Sequence, residues 1–263
     1  MLTFKKHEKL ELSRNALRQL PDLSWLQNLR ELSIFSNNLE KLPDLSALKK
    51  LKSLDLHDNN LKEIPDVSFL EYLNISSNLI SALPEPKHNA LIQLRATDNQ
   101  LDDNCLDIIK NFTHLKVLCL AYNRIVEIPL NTLSENTELD QLYLAGNALT
   151  TLPDDFEEIT NLRVLCLNGN RFRTLPADLA GFQNLEFIDV SYNDLKYNTS
   201  NSRYEWNWKN NQNLRYLNLS GNKKFEITEG LDLPKLKLLG LMDLTITSQA
   251  NIPDETMNMR VRT

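Results

Sequence analysis

The chain has 263 residues, 41% hydrophobic and 24% charged, ordinary globular values that exclude intrinsic disorder. Its net charge of −6 and pI near 5.3 argue against nucleic acid as the main partner, because phosphate binding wants a basic field. It contains no run of about 18 apolar residues, so no direct membrane insertion is expected.

The opening residues 1–6 lack the apolar stretch of a signal peptide. One frame then dominates the chain. Leu29-Arg30-Glu31-Leu32-Ser33-Ile34-Phe35-Ser36-Asn37-Asn38-Leu39 reads LxxLxLxxNxL, with Leu42-Pro43 three residues on. The frame returns at 51–61, 115–125, 139–149 and 162–172, each time followed by Leu-Pro or Ile-Pro. Its asparagine falls at Asn15, Asn37, Asn59, Asn78, Asn99, Asn123, Asn147, Asn170, Asn193 and Asn222, at spacings of 19 to 29 residues. The pattern resembles leucine-rich repeats, whose period lies in this range. In LxxLxL the fourth and sixth positions share one face of a strand of period two. The asparagine sits where the chain turns away, and its amide can satisfy backbone groups that the turn leaves unpaired. No single repeat buries its leucines alone, so stacked neighbours supply the core.

The expected fold is therefore an α/β leucine-rich-repeat solenoid of about eleven repeats. A curved parallel β-sheet lines the concave face, and the convex side is irregular or short-helical. The last strand is expected at 236–241, where Leu244 replaces the ladder asparagine. This makes residues 1–246 the solenoid and 247–263 a C-terminal tail. Two irregularities interrupt the frame. Residues 102–110 read as a short helix with an acidic start. Residues 198–210 lengthen one repeat with a polar stretch carrying Trp206 and Trp208. That insertion either packs its indoles on the convex edge or serves as a partner-binding loop.

Catalytic constellations are missing from the pattern. Cys105-Leu106-Asp107 forms a Cys-x-Asp triplet, but it lies inside a repeat between Asn99 and Asn123, with no separate catalytic domain around it. Asp55, His57 and Asp58 would share the concave face with Arg95 and Asp98. One histidine and carboxylates of opposite strand parity suit a hydrogen-bonded patch rather than a metal site. No glycine-rich phosphate loop occurs, and no cofactor is expected. The three cysteines, Cys105, Cys119 and Cys166, form no CxxC pair and no terminal cap, which suggests a reducing, cytoplasmic setting. Cys119 and Cys166 take the same outward strand position. In that setting Asn74-Ile75-Ser76 and Asn111-Phe112-Thr113 are chance sequons.

Surface remains. Phe35, Tyr72, Tyr122, Tyr143, Phe187, Tyr192 and Tyr216 are read at outward strand positions, where tyrosines commonly anchor protein interfaces. Arg124, Arg171, Arg173, Lys196, Lys223 and Lys224 lie just beyond the ladder asparagine. They form a basic strip on an acidic protein, either a solvated face or a steering surface for an acidic partner. The candidate partner-binding set is Arg95, Tyr122, Arg124, Tyr143, Arg171, Arg173, Tyr192 and Lys196.

The C-terminal third is more particular. Residues 187–198, Trp206-Asn207-Trp208, residues 214–223, Leu239 to Thr245, and the tail 252–263 resemble the last repeats of fungal adenylyl cyclases. The resemblance is specific over about residues 160–263 and generic before. It implies a region that binds GTP-loaded Ras and couples it to cyclic AMP synthesis by the rest of the cyclase. It further implies a tail leading toward a phosphatase-like domain absent from this chain, and recruitment to membranes through lipidated Ras. On this reading the piece is not itself an enzyme. The alternative is a scaffold docking a protein phosphatase catalytic subunit, whose repeats the Leu-Pro-Asp-Leu-Ser motifs at 20–24 and 42–46 resemble.

Overall fold

A computed structural model describes residues 7–174, 182–196, 210–223, 226–227 and 233–246. The insertion at 198–209, Lys224 and the tail 247–263 lie outside these residues. The chain divides into two compact units, Met1–Arg124 and Ile125–Thr263.

The described residues of the first unit hold the parallel strands β1 (Lys9–Glu11), β2 (Glu31–Ser33), β3 (Ser53–Asp55), β4 (Tyr72–Asn74) and β5 (Gln93–Arg95). Helix α1 (Asn104–Ile109) and strand β6 (Val117–Cys119) follow. The register stacks one leucine per repeat: Leu10, Leu32, Leu54, Leu73, Leu94 and Leu118 are direct partners. Leu32, Ile34 and Leu39, the inward positions of one frame, are all essentially buried. Each such side chain contributes roughly 1.5–3 kcal/mol by leaving water. The first described repeat differs, with Leu10, Leu12 and Leu17 half-buried, because among the described residues only the following repeat covers it.

In the second unit the described strands are β7 (Gln141–Tyr143), β8 (Val164–Cys166), β9 (Phe187–Asp189), β10 (Tyr216–Asn218), β11 (Glu226–Ile227), β12 (Leu238–Gly240) and β13 (Thr245–Ile246). Leu142, Leu165, Ile188, Leu217 and Leu239 stack in the same parallel register through β7, β8, β9, β10 and β12. At the last repeat Leu244 stands in the asparagine's place. There β11 and β13 pair as a separate two-stranded parallel sheet.

The asparagine amides tie successive repeats together. Asn59 Oδ1 accepts the backbone N–H of Leu39 at 3.0 Å, one repeat earlier. Its Nδ2 donates to the carbonyls of Ile34, Leu56 and His57 at 3.1, 3.0 and 3.3 Å. Asn37, Asn78, Asn99 and Asn123 repeat this geometry in the first unit. Asn147, Asn170, Asn193 and Asn222 carry it on in the second. The second unit adds another ladder, not anticipated from the frame, at the residue before its first leucine. Asn161, Asn184 and Asn213 donate to the carbonyls of Thr137, Thr160 and Gln183 at 2.7, 3.0 and 2.9 Å. Its signal is plain once sought: each of these asparagines directly precedes the leucine that opens a frame.

Short caps hold the far side. The helix expected at 102–110 forms over Asn104–Ile109 and buries Cys105, Leu106, Ile108 and Ile109. The Leu-Pro-Asp-Leu-Ser motifs close local turns. Asp22 and Asp44 each accept both the backbone N–H and the hydroxyl of the serine two residues on, all at 2.8 Å. Those backbone and hydroxyl bonds hold both carboxyls below the usual aspartate range. The motif is thus explained by local turn chemistry.

Candidate protein-binding surface

In the first unit the outward face of the sheet carries a connected polar and aromatic patch. The rings of Phe35 and His57 stack at 4.4 Å with planes 13° apart, and the Arg14 guanidinium lies 5.5 Å from the Phe35 centroid. His57 Nδ1 is 2.8 Å from Asp55 Oδ1, and Asn74 Nδ2 approaches the same nitrogen at 3.5 Å. Asp55, His57 and Asn74 are thus members of one hydrogen-bonded patch. Arg95 is exposed on β5, and Arg124 is exposed beyond Asn123 with Nη2 donating to Gln100 Oε1 at 3.2 Å.

In the second unit the two edges of the sheet differ in charge state. Before the strands the side chains are paired: Arg163 Nε lies 3.6 Å from Asp140 and 3.2 Å from Glu186, and Arg215 Nε lies 3.5 Å from Glu186. Such exposed pairs add little stability, yet they use up these charges. Beyond the ladder asparagines, Arg171, Arg173, Lys196 and Lys223 are exposed and carry no ion pair among the described residues. Asp194 and Asp243 are exposed carboxylates near them. Between the edges Phe187 and Tyr216 stack at 4.0 Å, planes 6° apart. Burial, and then the Asp189 carboxylate, push the Tyr216 hydroxyl pKa up.

Three expectations from the sequence need correction. Tyr122 and Tyr192 are not outward strand residues. They occupy the turn position before the ladder asparagine, where φ is positive in every described repeat, at 54° and 53° for these two. Elsewhere that position is filled by Arg14, Ser36, Asp58, Ser77, Asp98, Gly146, Gly169, Gly221 and Asp243. A bulky side chain there costs roughly 1–2 kcal/mol, because its Cβ crowds the following carbonyl. Both tyrosines are nonetheless well exposed, at 58% and 62%. Second, Tyr143 is half-buried on β7, with its hydroxyl donating to Gln141 at 3.1 Å, so it presents less surface than an outward tyrosine should. Third, Cys119 and Cys166 are buried despite their outward position. Each is short and flanked in register by longer side chains, Arg95 beside Cys119, and Tyr143 and Asp189 beside Cys166.

Cys105 and Cys119 are not poised as nucleophiles. Burial, reinforced by the Asp102 and Asp103 carboxylates, pushes the Cys105 thiol up to about 12. Burial pushes Cys119 up to about 11 against the opposing charge of Arg95. A reactive cysteine needs the reverse, a depressed value at an accessible site. The Cys-x-Asp triplet is part of helix α1 and of the core.

Comparison with known proteins agrees with this architecture. A leucine-rich-repeat family model matches residues 137–195, and a two-copy leucine-rich-repeat model matches 27–69. The adenylate cyclase of Lachancea kluyveri is 43% identical over 218 residues, covering 74% of this chain and 12% of that protein. That likeness reaches well beyond the last third of the chain, on which the sequence resemblance rested. The human PH domain leucine-rich repeat-containing protein phosphatase 1 is 35% identical over 89 residues, 32% of this chain and 5% of that protein. The chain therefore spans a small fraction of the length of the relatives it matches. Among solved structures, the functional domain of InlJ from Listeria monocytogenes is similar at a TM-score of 0.68 and 24% identity. The likeness covers 91% of this chain and 59% of that one and concerns fold alone. Repeat frame, register and relatives converge: the chain belongs to the leucine-rich-repeat proteins, and over most of its length it is similar to a part of fungal adenylate cyclases.

Proposed function

We propose that this region binds a Ras-type small GTPase in its GTP state and couples it to cyclic AMP synthesis by the parent adenylate cyclase. The match to an adenylate cyclase over 74% of the chain carries this reading. The surface chemistry supports it. Arg171, Arg173, Lys196 and Lys223, exposed and without an ion pair among the described residues, offer an acidic partner a local basic edge on a net-acidic protein. Such an edge speeds encounter, while buried aromatic contact sets the dissociation rate. The chain itself contributes binding and no chemistry. Differential affinity for one nucleotide state is what can shift a coupled enzyme. No helix among the described residues is long and apolar enough to cross a membrane. On this reading, membrane recruitment comes through the lipid of the GTPase.

The phosphatase-docking alternative has weaker support. Its relative covers 89 residues, and the Leu-Pro-Asp-Leu-Ser motifs are accounted for by their Asp–Ser bonds. A pull-down on the immobilised region separates the two readings. Retention of Ras loaded with a GTP analogue but not with GDP is expected. Retention of a protein phosphatase catalytic subunit with no retention of Ras would reverse the choice.

A further inference from the structure

Tyr192 sits at a position that the other described repeats of the second unit give to Gly146, Gly169, Gly221 and Asp243. Its backbone is left-handed, with φ 53°, a conformation that suits glycine or aspartate and disfavours an aromatic residue. Its ring does not compensate by burial, since the residue stays 62% exposed. What it does instead is lie across the next repeat. A Cβ at Gly221 would come within 2.6 Å of Tyr192 Cδ1 and 3.0 Å of Cε1, so only glycine leaves room for the ring. Backbone bonds fix the arrangement: Tyr192 N–H donates to Ser220 O, and Gly221 N–H donates to Met242 O, both at 2.8 Å. Met242, one repeat further, is itself 49% exposed. Tyr192, Gly221 and Met242 thus line up across three successive repeats, with the Tyr192 ring lying close against Gly221 and the residue open to solvent. Arg171, Arg173, Lys196 and Lys223, exposed and with no ion pair among the described residues, occupy the same edge of the sheet.

We propose that Tyr192, seated against Gly221, is the anchor on which the partner seats. The partner surface would be acidic and would offer the ring an apolar side chain. Charge complementarity with these four exposed cations selects that occupant. A ring fixed before binding loses little conformational freedom when it is covered, which is what makes an aromatic side chain an effective anchor. Gly221 is then a positioning residue that acts through the ring. This assignment rests on the reading that a Ras-type GTPase is the partner.

The test measures Ras binding and urea unfolding together for Tyr192→Asn, Tyr192→Phe and the unchanged protein. Asparagine accepts the left-handed backbone, so Tyr192→Asn is expected to unfold at no lower urea concentration than the unchanged protein. It should bind Ras carrying a GTP analogue about tenfold or more weakly, chiefly through faster dissociation. Tyr192→Phe keeps the ring and should bind within about threefold of the unchanged protein, because the contact is apolar. Unchanged binding by Tyr192→Asn would overturn the anchor while leaving the Ras reading intact. A loss of binding matched by a lower urea midpoint would make the ring structural and also overturn it. If the unchanged protein binds neither form of Ras, the Ras reading itself fails and takes this assignment with it.

Discussion

Asn170 accepts the backbone N–H of Leu149 on its Oδ1 at 3.0 Å, across the boundary between two repeats. Its Nδ2 reaches back to the carbonyls of Leu144 and Leu167 at 2.9 and 3.0 Å, and the residue is 8% exposed. One side chain thus closes backbone groups that the turn would otherwise leave dry and unpaired. Asn170→Ala should cost about 1–3 kcal/mol, the penalty of buried groups left unsatisfied. Arg173→Ala, a solvent-exposed change in the same repeat, should shift stability by less than about 0.5 kcal/mol. Repeats contact only their neighbours, so Asn170→Ala should also broaden the urea transition. Equal midpoints for the two variants would contradict the ladder's role.

The thiols give a second check. With Cys105 at about 12 and Cys119 at about 11, both should resist a thiol reagent at pH 8 in the folded protein and react fully in urea. The same shifts have a consequence for stability. The folded-state values lie above the ordinary thiol value of 9.0, so folding holds the protons. The contribution is complete below pH 9 and declines as pH rises through 11 and 12. A urea midpoint that falls between pH 9 and 11, and falls less in Cys105→Ala, is the expected result. Fast labelling at pH 8 without urea would contradict the burial.

Much of this architecture is legible in the sequence because the inward leucines and the ladder asparagine follow strict geometric periods. Leu32 and Ile34 cannot trade places with Ser33 without turning a polar group into the core. The turn before the ladder was less legible. A left-handed residue leaves only a statistical trace, small or acidic side chains, and Tyr122 and Tyr192 break that trace instead of marking it. Burial of Cys119 and Cys166 depends on the length of side chains in neighbouring strands, which a single repeat does not reveal. Nor does the frame tell a paired arginine from a free one. Arg163 and Arg171 look alike in sequence, yet Arg163 meets Glu186 at 3.2 Å and Arg171 meets no carboxylate among the described residues.

That contrast predicts an asymmetric response to charge reversal. Arg171→Glu together with Arg173→Glu should slow association with Ras and flatten its dependence on salt, since these exposed charges act at a distance through a Debye length of about 8–10 Å. The fold should be unaffected, because neither arginine side chain forms an ion pair among the described residues and the backbone bonds of both positions do not depend on the side chain. Arg163→Glu should instead disturb the paired row beside Glu186 and leave the association rate largely unchanged. Surface plasmon resonance at low and physiological salt distinguishes the two. Loss of binding in Arg95→Glu, with the Arg171/Arg173 variant unaffected, would move the contact to the first unit.

The central claim is that this repeat region tells one nucleotide state of its partner from the other. Isothermal calorimetry of the chain against Ras, loaded with a non-hydrolysable GTP analogue in one titration and with GDP in another, tests it most directly. A saturable heat in the first titration, with at least about tenfold weaker binding in the second, corresponds to a state preference of roughly 1.4 kcal/mol. Equal affinities, or no heat with either form, would contradict the account.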